Sequence, residues 1–494
     1  MRRSFVQIAL VTVGATAAYL LTIRSGHQWG DDFVQYLQHS LNLSAGAPYG
    51  VQGYIANPER SIGPAAYPPV FPFVLLPVVS VFGASFIALK VWMSVLFGLA
   101  LASIAFAFEP LLKNRTWILI VLLAAAPVFW DFKDRILSDI PFLVFCFLSL
   151  ALIERLVSAQ DGRRKYLLAV ATGILIYLAC GTRSQGLVLL PTLMLADFWK
   201  AKRIRLAPIV ACAVAVGLIL VQSNLLFTEG DRFEYLTLDP AIVWSNVAHY
   251  AGALSTYWDD GHVHLVRYVV FAATLVLAIV GYGRRVRGGI GPFEIFLPLF
   301  MLPLLFWVFQ QGIRYLLPIV PLYLLYVLEG VQAVAERLPP ARARAFGASL
   351  LLASLGVFAL RYATLDLRHI DGPLDTDAQA LFEHVKASTD PSDVIVFEKP
   401  RVMNLFTGRR AAIPTQVSDA TGDAAARDFY ESIGADYVAT SQAFESDNAY
   451  LLPFLSRNPD WATVIWSGGE FQLWAIRKPP NPSAPRARRS EASD

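Results

Sequence analysis

Trp29-Gly30-Asp31-Asp32-Phe33 stands just beyond an apolar run at residues 5–23, and its two adjacent acids decide how the chain is read. They do nothing for insertion of that run, because a carboxylate is costly in hydrocarbon and adds little to orientation. At the membrane–water boundary they suit chemistry on a lipid whose reactive head lies at the same depth. A plainer alternative stays open: acids in the first turn of a helix favour its dipole and cap it. Tyr36, Leu37, Leu41 and Leu43 follow at roughly helical spacing, which predicts an amphipathic helix lying on the membrane surface.

Working outward, composition sets the class. Of 494 residues, 55% are hydrophobic and 16% charged, against about 25% charged in an average soluble domain. A mean hydropathy of +0.49 and 13% aromatic content fit repeated bilayer spans with interfacial Trp and Tyr. The net charge of +3 says little by itself, and no nucleic-acid partner is expected. Cys146, Cys180 and Cys212 fall in apolar stretches and read as small buried hydrophobes, not as a disulfide framework or a metal site. Arg2 and Arg3 with Ala15-Thr16-Ala17 mimic a secretory signal, yet the apolar run continues to Ile23, so it reads as an uncleaved first span.

A span needs about twenty mainly apolar residues. Stretches that qualify lie near 5–23, 85–108, 115–132, 139–157, 165–181, 185–199, 206–227, 263–283, 291–309, 313–331 and 345–362. Residues 67–83 are apolar too, but short and rich in proline: Pro68, Pro69, Pro72 and Pro77. If that stretch dips into the outer face without crossing, every Lys/Arg-rich loop falls on one side, the cytoplasm by the positive-inside rule. These loops hold Arg2-Arg3, Lys113 to Arg115, Arg163 to Lys165, Lys200 to Arg205, Arg284 to Arg287 and Arg337 to Arg344.

The expected fold class is therefore a polytopic α-helical membrane protein of about eleven spans over residues 1–362. Its N-terminus is cytoplasmic, its first outer loop is 24–66 and its re-entrant segment is 67–83. Residues 363–478 read as a soluble extracytoplasmic α/β domain. Helices are expected near 377–388 and 423–433, and strands at 394–398, 436–440, 463–466 and 471–476. Residues 479–494 read as a disordered tail. A bacterial-type inner or plasma membrane is the expected location.

Three further outer-face residues matter. Asp139, in Ser138-Asp139-Ile140-Pro141-Phe142, opens a span on the same face as Asp31, although Asp as a cap with proline in the first turn explains it plainly. Asp131, Lys133, Asp134 and Arg135 lie just before it. Arg183 and Arg314 defy the positive-inside bias, so each calls for an anionic partner: a phosphate, which the planar guanidinium fork suits, or an acid on a neighbouring loop. Asp259, Asp260, His262 and His264, in and just after the loop 228–262, form no recognised ligand pattern and read as a solvated loop.

Taken in order, these residues resemble the GT-C superfamily, integral-membrane glycosyltransferases that use polyprenyl-phosphate sugars and include protein O-mannosyltransferases and aminoarabinose transferases. The resemblance rests on five stretches: Asp31-Asp32 followed by Asn42-Leu43 and Gly46-Ala47-Pro48-Tyr49; Tyr67-Pro68-Pro69-Val70-Phe71-Pro72; Ser138 to Phe142; Thr182-Arg183-Ser184-Gln185-Gly186; and Arg314-Tyr315-Leu316-Leu317-Pro318. It covers about residues 1–335.

The resemblance implies a hexosyl transfer from a polyprenyl-phosphate donor to a lipid, glycan or protein hydroxyl. Asp31 would be general base, Asp32 a second acid and Asp139 a positioner of hydroxyls. Arg183, Arg314, Tyr315 and Tyr67 would bind substrate, all in one pocket at the outer leaflet. Some relatives use a divalent metal and others do not; the sequence offers no ligand set beyond these acids, and no metal is assigned. Tyr67 stands where some lipid-A-modifying members carry lysine, which removes one expected phosphate contact. A polysaccharide polymerase or ligase would share the outer arginines but not the acid pair or the folded tail. A transporter would place its charges near the bilayer midplane.

Overall fold

The computed structural model describes residues 2–56, 66–160, 162–226, 236–262, 264–415 and 422–477. The tail at 479–494 and part of the loops 24–66 and 228–262 lie outside the described residues. Two compact units are present: Met1–His27, Gln35–Val51 and Pro64–Ile370 in the first, and Gln28–Val34, Gln52–Gly63 and Asp371–Asp494 in the second.

The first unit is helical. Its elements are α1 (Arg2–Leu21), α2 (Asp31–Ala45, whose first turn counts with the second unit), α3 (Val70–Phe82), α4 (Phe86–Leu112), α5 (Thr116–Ala125), α6 (Pro127–Phe132) and α7 (Asp139–Ser158). They continue with α8 (Arg163–Thr182), α9 (Leu189–Ala201), α10 (Leu206–Leu225), α11 (Pro240–Ser255), α12 (His264–Gly288), α13 (Pro292–Leu305), α14 (Ile319–Ala335) and α15 (Pro340–Tyr362). A parallel pair of two-residue strands, β1 (Ser25–Gly26) and β3 (His369–Ile370), joins its two ends.

Helix occupies the core of each of the eleven apolar stretches, and six of the described helices are long and apolar enough to cross a membrane. Starts and stops follow local chemistry. Ser85 accepts from the Ala88 N–H at the start of α4, Asp239 from the Ala241 N–H at the start of α11, and proline opens α6, α11, α13 and α15. With 13 residues, α3 rises about 20 Å, short of a ~30 Å hydrocarbon core. The outward faces of α10 and α12 carry exposed Leu220, Val221, Leu225, Val269, Val276 and Ile279, side chains suited to lipid rather than water.

The most intimate helix pair is α12 with α14. A Cβ on Gly281 would lie 1.9 Å from the Tyr326 carbonyl oxygen, and one on Gly330 would lie 2.0 Å from that of Leu277. Two facing glycines let these backbones touch, as small residues do between helices in lipid.

Two expectations are corrected. The helix α2 has no solvated polar face: besides Phe33, Tyr36 and Leu37, its polar residues Gln35, His39, Ser40 and Asn42 are buried. The reason is that its polar side ties down the returning loop. His39 Nδ1 donates to the Tyr49 carbonyl at 2.9 Å and its Nε2 accepts from the Tyr67 N–H at 3.2 Å, while Asn42 donates to the carbonyls of Tyr49 and Val51 at 3.1 and 2.7 Å. Nor is 228–262 simply a solvated loop. It contains α11, and Asp260 is buried, accepting from the His262 N–H; Asp259 pairs with Arg361 at 3.4 Å, and His262 and His264 remain exposed.

The second unit is an α/β layer. Its six-stranded sheet runs β2 (Tyr54–Ala56), β5 (Arg410–Ala412), β4 (Val394–Val396), β6 (Tyr437–Ser441), β8 (Phe471–Ile476), β7 (Ala462–Gly468). The first four strands are parallel; β8 and β7 are antiparallel additions. The connecting helices are α16 (Thr376–Ser388), α17 (Pro400–Thr407), α18 (Gly422–Ser432) and α19 (Leu452–Arg457). Buried Val396, Tyr430, Val438, Phe454, Leu455 and Trp461 form a core on one face. An edge strand, β2, comes from the stretch 24–66, so this sheet is assembled from distant parts of the chain.

Candidate functional site

In the first unit the start of α7, the end of α8 and the turn before α14 meet at one carboxylate. Asp139, 3% exposed at its side chain, receives Arg183 Nη1 on Oδ1 at 2.6 Å and Arg314 Nε on Oδ2 at 3.1 Å. The two arginine side chains are 11% and 17% exposed. One negative and two positive charges leave the trio a net cation, and it is held in place from all sides. Arg183 also donates to Gln185 Oε1 at 3.0 Å and Ser138 Oγ at 3.4 Å, and lies over the Tyr315 ring at 5.6 Å. Tyr36 Oη and Ser138 Oγ share a 2.8 Å hydrogen bond, and the Tyr36 ring packs on Tyr67 with centroids 4.9 Å apart.

The turn bearing Arg314 is fixed by α11. Asn246 donates to the carbonyls of Leu304, Leu305 and Trp307, Gln310 reaches Asn246 Oδ1 at 2.9 Å, and the Gly312 N–H donates to His249 Nε2 at 3.3 Å. The donors of both arginines converge on the Asp139 carboxylate, and planar guanidinium groups also suit phosphate.

In the second unit, Asp31 and Asp32 occupy the first turn of α2, as the helix-dipole alternative also required. Asp31 is nonetheless more than a cap. Its side chain is buried and, among the described residues, neither carboxyl oxygen has a hydrogen-bond partner. Burial pushes its ionisation up to about 7, against the opposing pull of Arg401 and Lys399; Asp32 and Glu398 add smaller upward pushes. An acid that is buried, unpaired and poised near neutrality can take a proton from a substrate hydroxyl. Just before it, the Trp29 ring sits among Phe382, Phe397, Phe444 and Phe471, with centroids 5.3 to 6.4 Å away.

Asp31 and Asp32 thus belong to one unit, and Asp139, Arg183, Arg314, Tyr315 and Tyr67 to the other. Within the first unit the structure unites all five. Sequence reasoning missed Lys399 and Arg401, which nothing in their surroundings marks. It noted Asp131, Lys133 and Asp134 but missed that they join Arg24 and Lys90 in one largely buried network, whose signal was basic residues away from the Lys/Arg-rich loops. There Arg24 Nε pairs with Asp134 Oδ2 at 2.8 Å, Lys133 Nζ reaches the same oxygen at 2.8 Å, and Lys90 Nζ donates to the carbonyls of Arg24 and Gly26.

No protein-family model and no curated protein matches this sequence. Solved structures do match its fold. The crystal structure of ArnT from Cupriavidus metallidurans bound to undecaprenyl phosphate has a TM-score of 0.57 and 13% identity, over 95% of this chain and 97% of that one. An Archaeoglobus fulgidus oligosaccharyltransferase complexed with zinc and sulfate gives 0.63 and 12%, over 94% and 73%. The archaeal oligosaccharyltransferase AglB from the same organism, with an inhibitory peptide and a dolichol-phosphate, gives 0.58 and 13%, over 88% and 69%. The chain therefore shares its fold with these solved structures.

Proposed function

We propose that this chain is a membrane glycosyltransferase that moves a sugar, a hexose by the motif resemblance, from a polyprenyl phosphate to an acceptor hydroxyl at the outer membrane face. The observation that carries the reading is Asp31: a buried carboxyl without a hydrogen-bond partner among the described residues, its ionisation pushed up to about 7 by burial. Solved structures of this fold with undecaprenyl or dolichol phosphate support the donor class.

In this reading the acceptor oxygen attacks the anomeric carbon and its proton passes to Asp31. The bond between that carbon and the lipid phosphate oxygen breaks, and the configuration inverts. Arg183 and Arg314 hold the phosphate as it leaves with a full extra charge. Tyr315, beneath Arg183, and Tyr67, against Tyr36, line the donor side. Asp32 supports Asp31. Asp139 takes a different part from the one its motif implied: both its oxygens are occupied by guanidinium groups, so it positions the arginines rather than a sugar. The same reading takes the N-terminus as cytoplasmic and the C-terminal residues as extracytoplasmic.

Mass spectrometry of envelope glycolipids and glycoproteins from cells with the gene, without it, and with Asp31→Asn tests the function. One sugar-bearing species should vanish in the latter two; identical profiles would remove the proposal. A reporter fused at the C-terminus should be active only outside the membrane.

A further inference from the structure

In the second unit, β4 is where the sheet changes direction: the chain leaves it through α17 to β5 on one side, while β6 pairs on the other. Open α/β sheets place their functional groups beyond the carboxyl ends of strands at such a switch. The residues there are Phe397, Glu398, Lys399, Pro400 and Arg401. Two pieces of the first outer loop converge on this turn. The Trp29 ring lies 5.3 Å from Phe444 and 6.1 Å from Phe397, and the Lys399 ammonium stands 5.7 Å from the centroid of the same Phe444 ring. Arg401, 3% exposed, lies over the Tyr54 ring at 5.4 Å. The aromatic cage around Trp29 therefore delivers Asp31, two residues along, to a turn that carries two positive charges.

We propose that Lys399 and Arg401 are positioning residues of the transfer reaction, whose positive charge keeps the Asp31 carboxyl able to ionise and so to accept the acceptor's proton. The inference rests on Asp31 being the base. Burial alone favours the neutral acid, and a neutral acid accepts no proton. Of the charged groups that act on Asp31, Arg401 and Lys399 favour its carboxylate, while Asp32 and Glu398 oppose it. Glu398 also pairs with Lys399 at 3.2 Å. The turn after β4 then sets the pH at which the base operates.

The test is an infrared titration of the full-length protein in nanodiscs, following the protonated-carboxyl band that Asp31→Asn removes. The wild-type midpoint is expected at about 7. Lys399→Gln and Arg401→Gln should raise it and Glu398→Gln should lower it, each by on the order of half a unit to one unit, and Arg401→Lys should restore it. Transfer should follow: the acid limb of the rate profile moves the same way, and rates recover at high pH. A purely structural role would lower transfer at every pH and give no opposite shifts.

Unchanged midpoints, or shifts of one direction for charges of both signs, overturn the inference. Should Arg401→Gln fail to fold, Lys399 and Glu398, with side chains 26% and 20% exposed, carry the test alone. Transfer that survives Asp31→Asn refutes the base assignment, whereas the band shifts test the charges separately.

Discussion

Arg314 Nε lies 3.1 Å from Oδ2 of Asp139, so the arginine in the turn before α14 is held by an acid from the start of another helix. Arg183 takes the other oxygen. Under the proposed function, a phosphate bound here meets two guanidinium groups whose orientation Asp139 fixes. Charge-assisted hydrogen bonds contribute about 1.5–3 kcal/mol each, so Arg314→Ala and Arg183→Ala should each raise the donor KM about tenfold or more. Lysine should rescue poorly, because a point charge lacks the fork. Steady-state kinetics against donor concentration decide this; an unchanged KM in both variants rules out the phosphate role.

Asp31 carries its own stability signature. Its folded-state ionisation is raised to about 7 from an ordinary value of 3.8. The ionised form is thus penalised only in the folded chain. The penalty is absent below about 4, grows between about 4 and 7, and is constant above. By linkage it reaches on the order of 4 kcal/mol. Asp31→Asn should therefore raise the Tm at pH 8 and leave it nearly unchanged at pH 4, while abolishing transfer. Thermal melts at the two pH values measure this, and equal shifts at both would contradict the origin assigned to it.

The Arg24–Asp134–Lys133 cluster responds in the opposite sense. Asp134 and Lys133 are 0% exposed, and removing one partner of a buried pair leaves uncompensated charge, typically a loss of about 3–5 kcal/mol. Asp134→Asn should cut the yield of folded protein and lower its Tm sharply. Replacing the exposed Lys386 of α16, which pairs with Glu383, should do neither. Detergent-solubilised melting curves of the two variants provide the comparison.

At the α12–α14 crossing, Gly330→Val puts a branched side chain where even a Cβ would lie 2.0 Å from a backbone carbonyl. The two helices must separate, and α14 leads directly out of the Arg314 turn. Loss of stability together with weakened donor binding is expected, measured by melting and by donor titration. A variant of wild-type stability would show that the crossing tolerates separation.

Much of this architecture was legible from residue order. Apolar runs with basic ends marked the membrane helices, because lipid imposes length and polarity on every span. The strands at 394–396 and 437–441 were legible from β-branched runs bounded by turns. The strand Tyr54–Ala56 was not, since three residues of a long loop gain strand identity only by pairing with Arg410–Ala412. The buried setting of α2 was hidden for a related reason: Gln35, His39 and Asn42 look solvent-facing until the loop that satisfies them is in place. Arg183 and Arg314 stood out by violating a charge rule, while the identity of their partner, Asp139, needed the packing of three helices. Lys399 and Arg401 gave no signal, being ordinary surface-type residues until Trp29 brings Asp31 to their turn.

The most direct test of the account uses membranes containing the wild-type protein or Asp31→Asn, supplied with a panel of undecaprenyl-phosphate-linked radiolabelled sugars. Transfer of label to an acceptor, matched by release of undecaprenyl phosphate, is expected for at least one donor with the wild type and for none with the variant. Label moving equally fast in both, or no donor consumed by either, contradicts it.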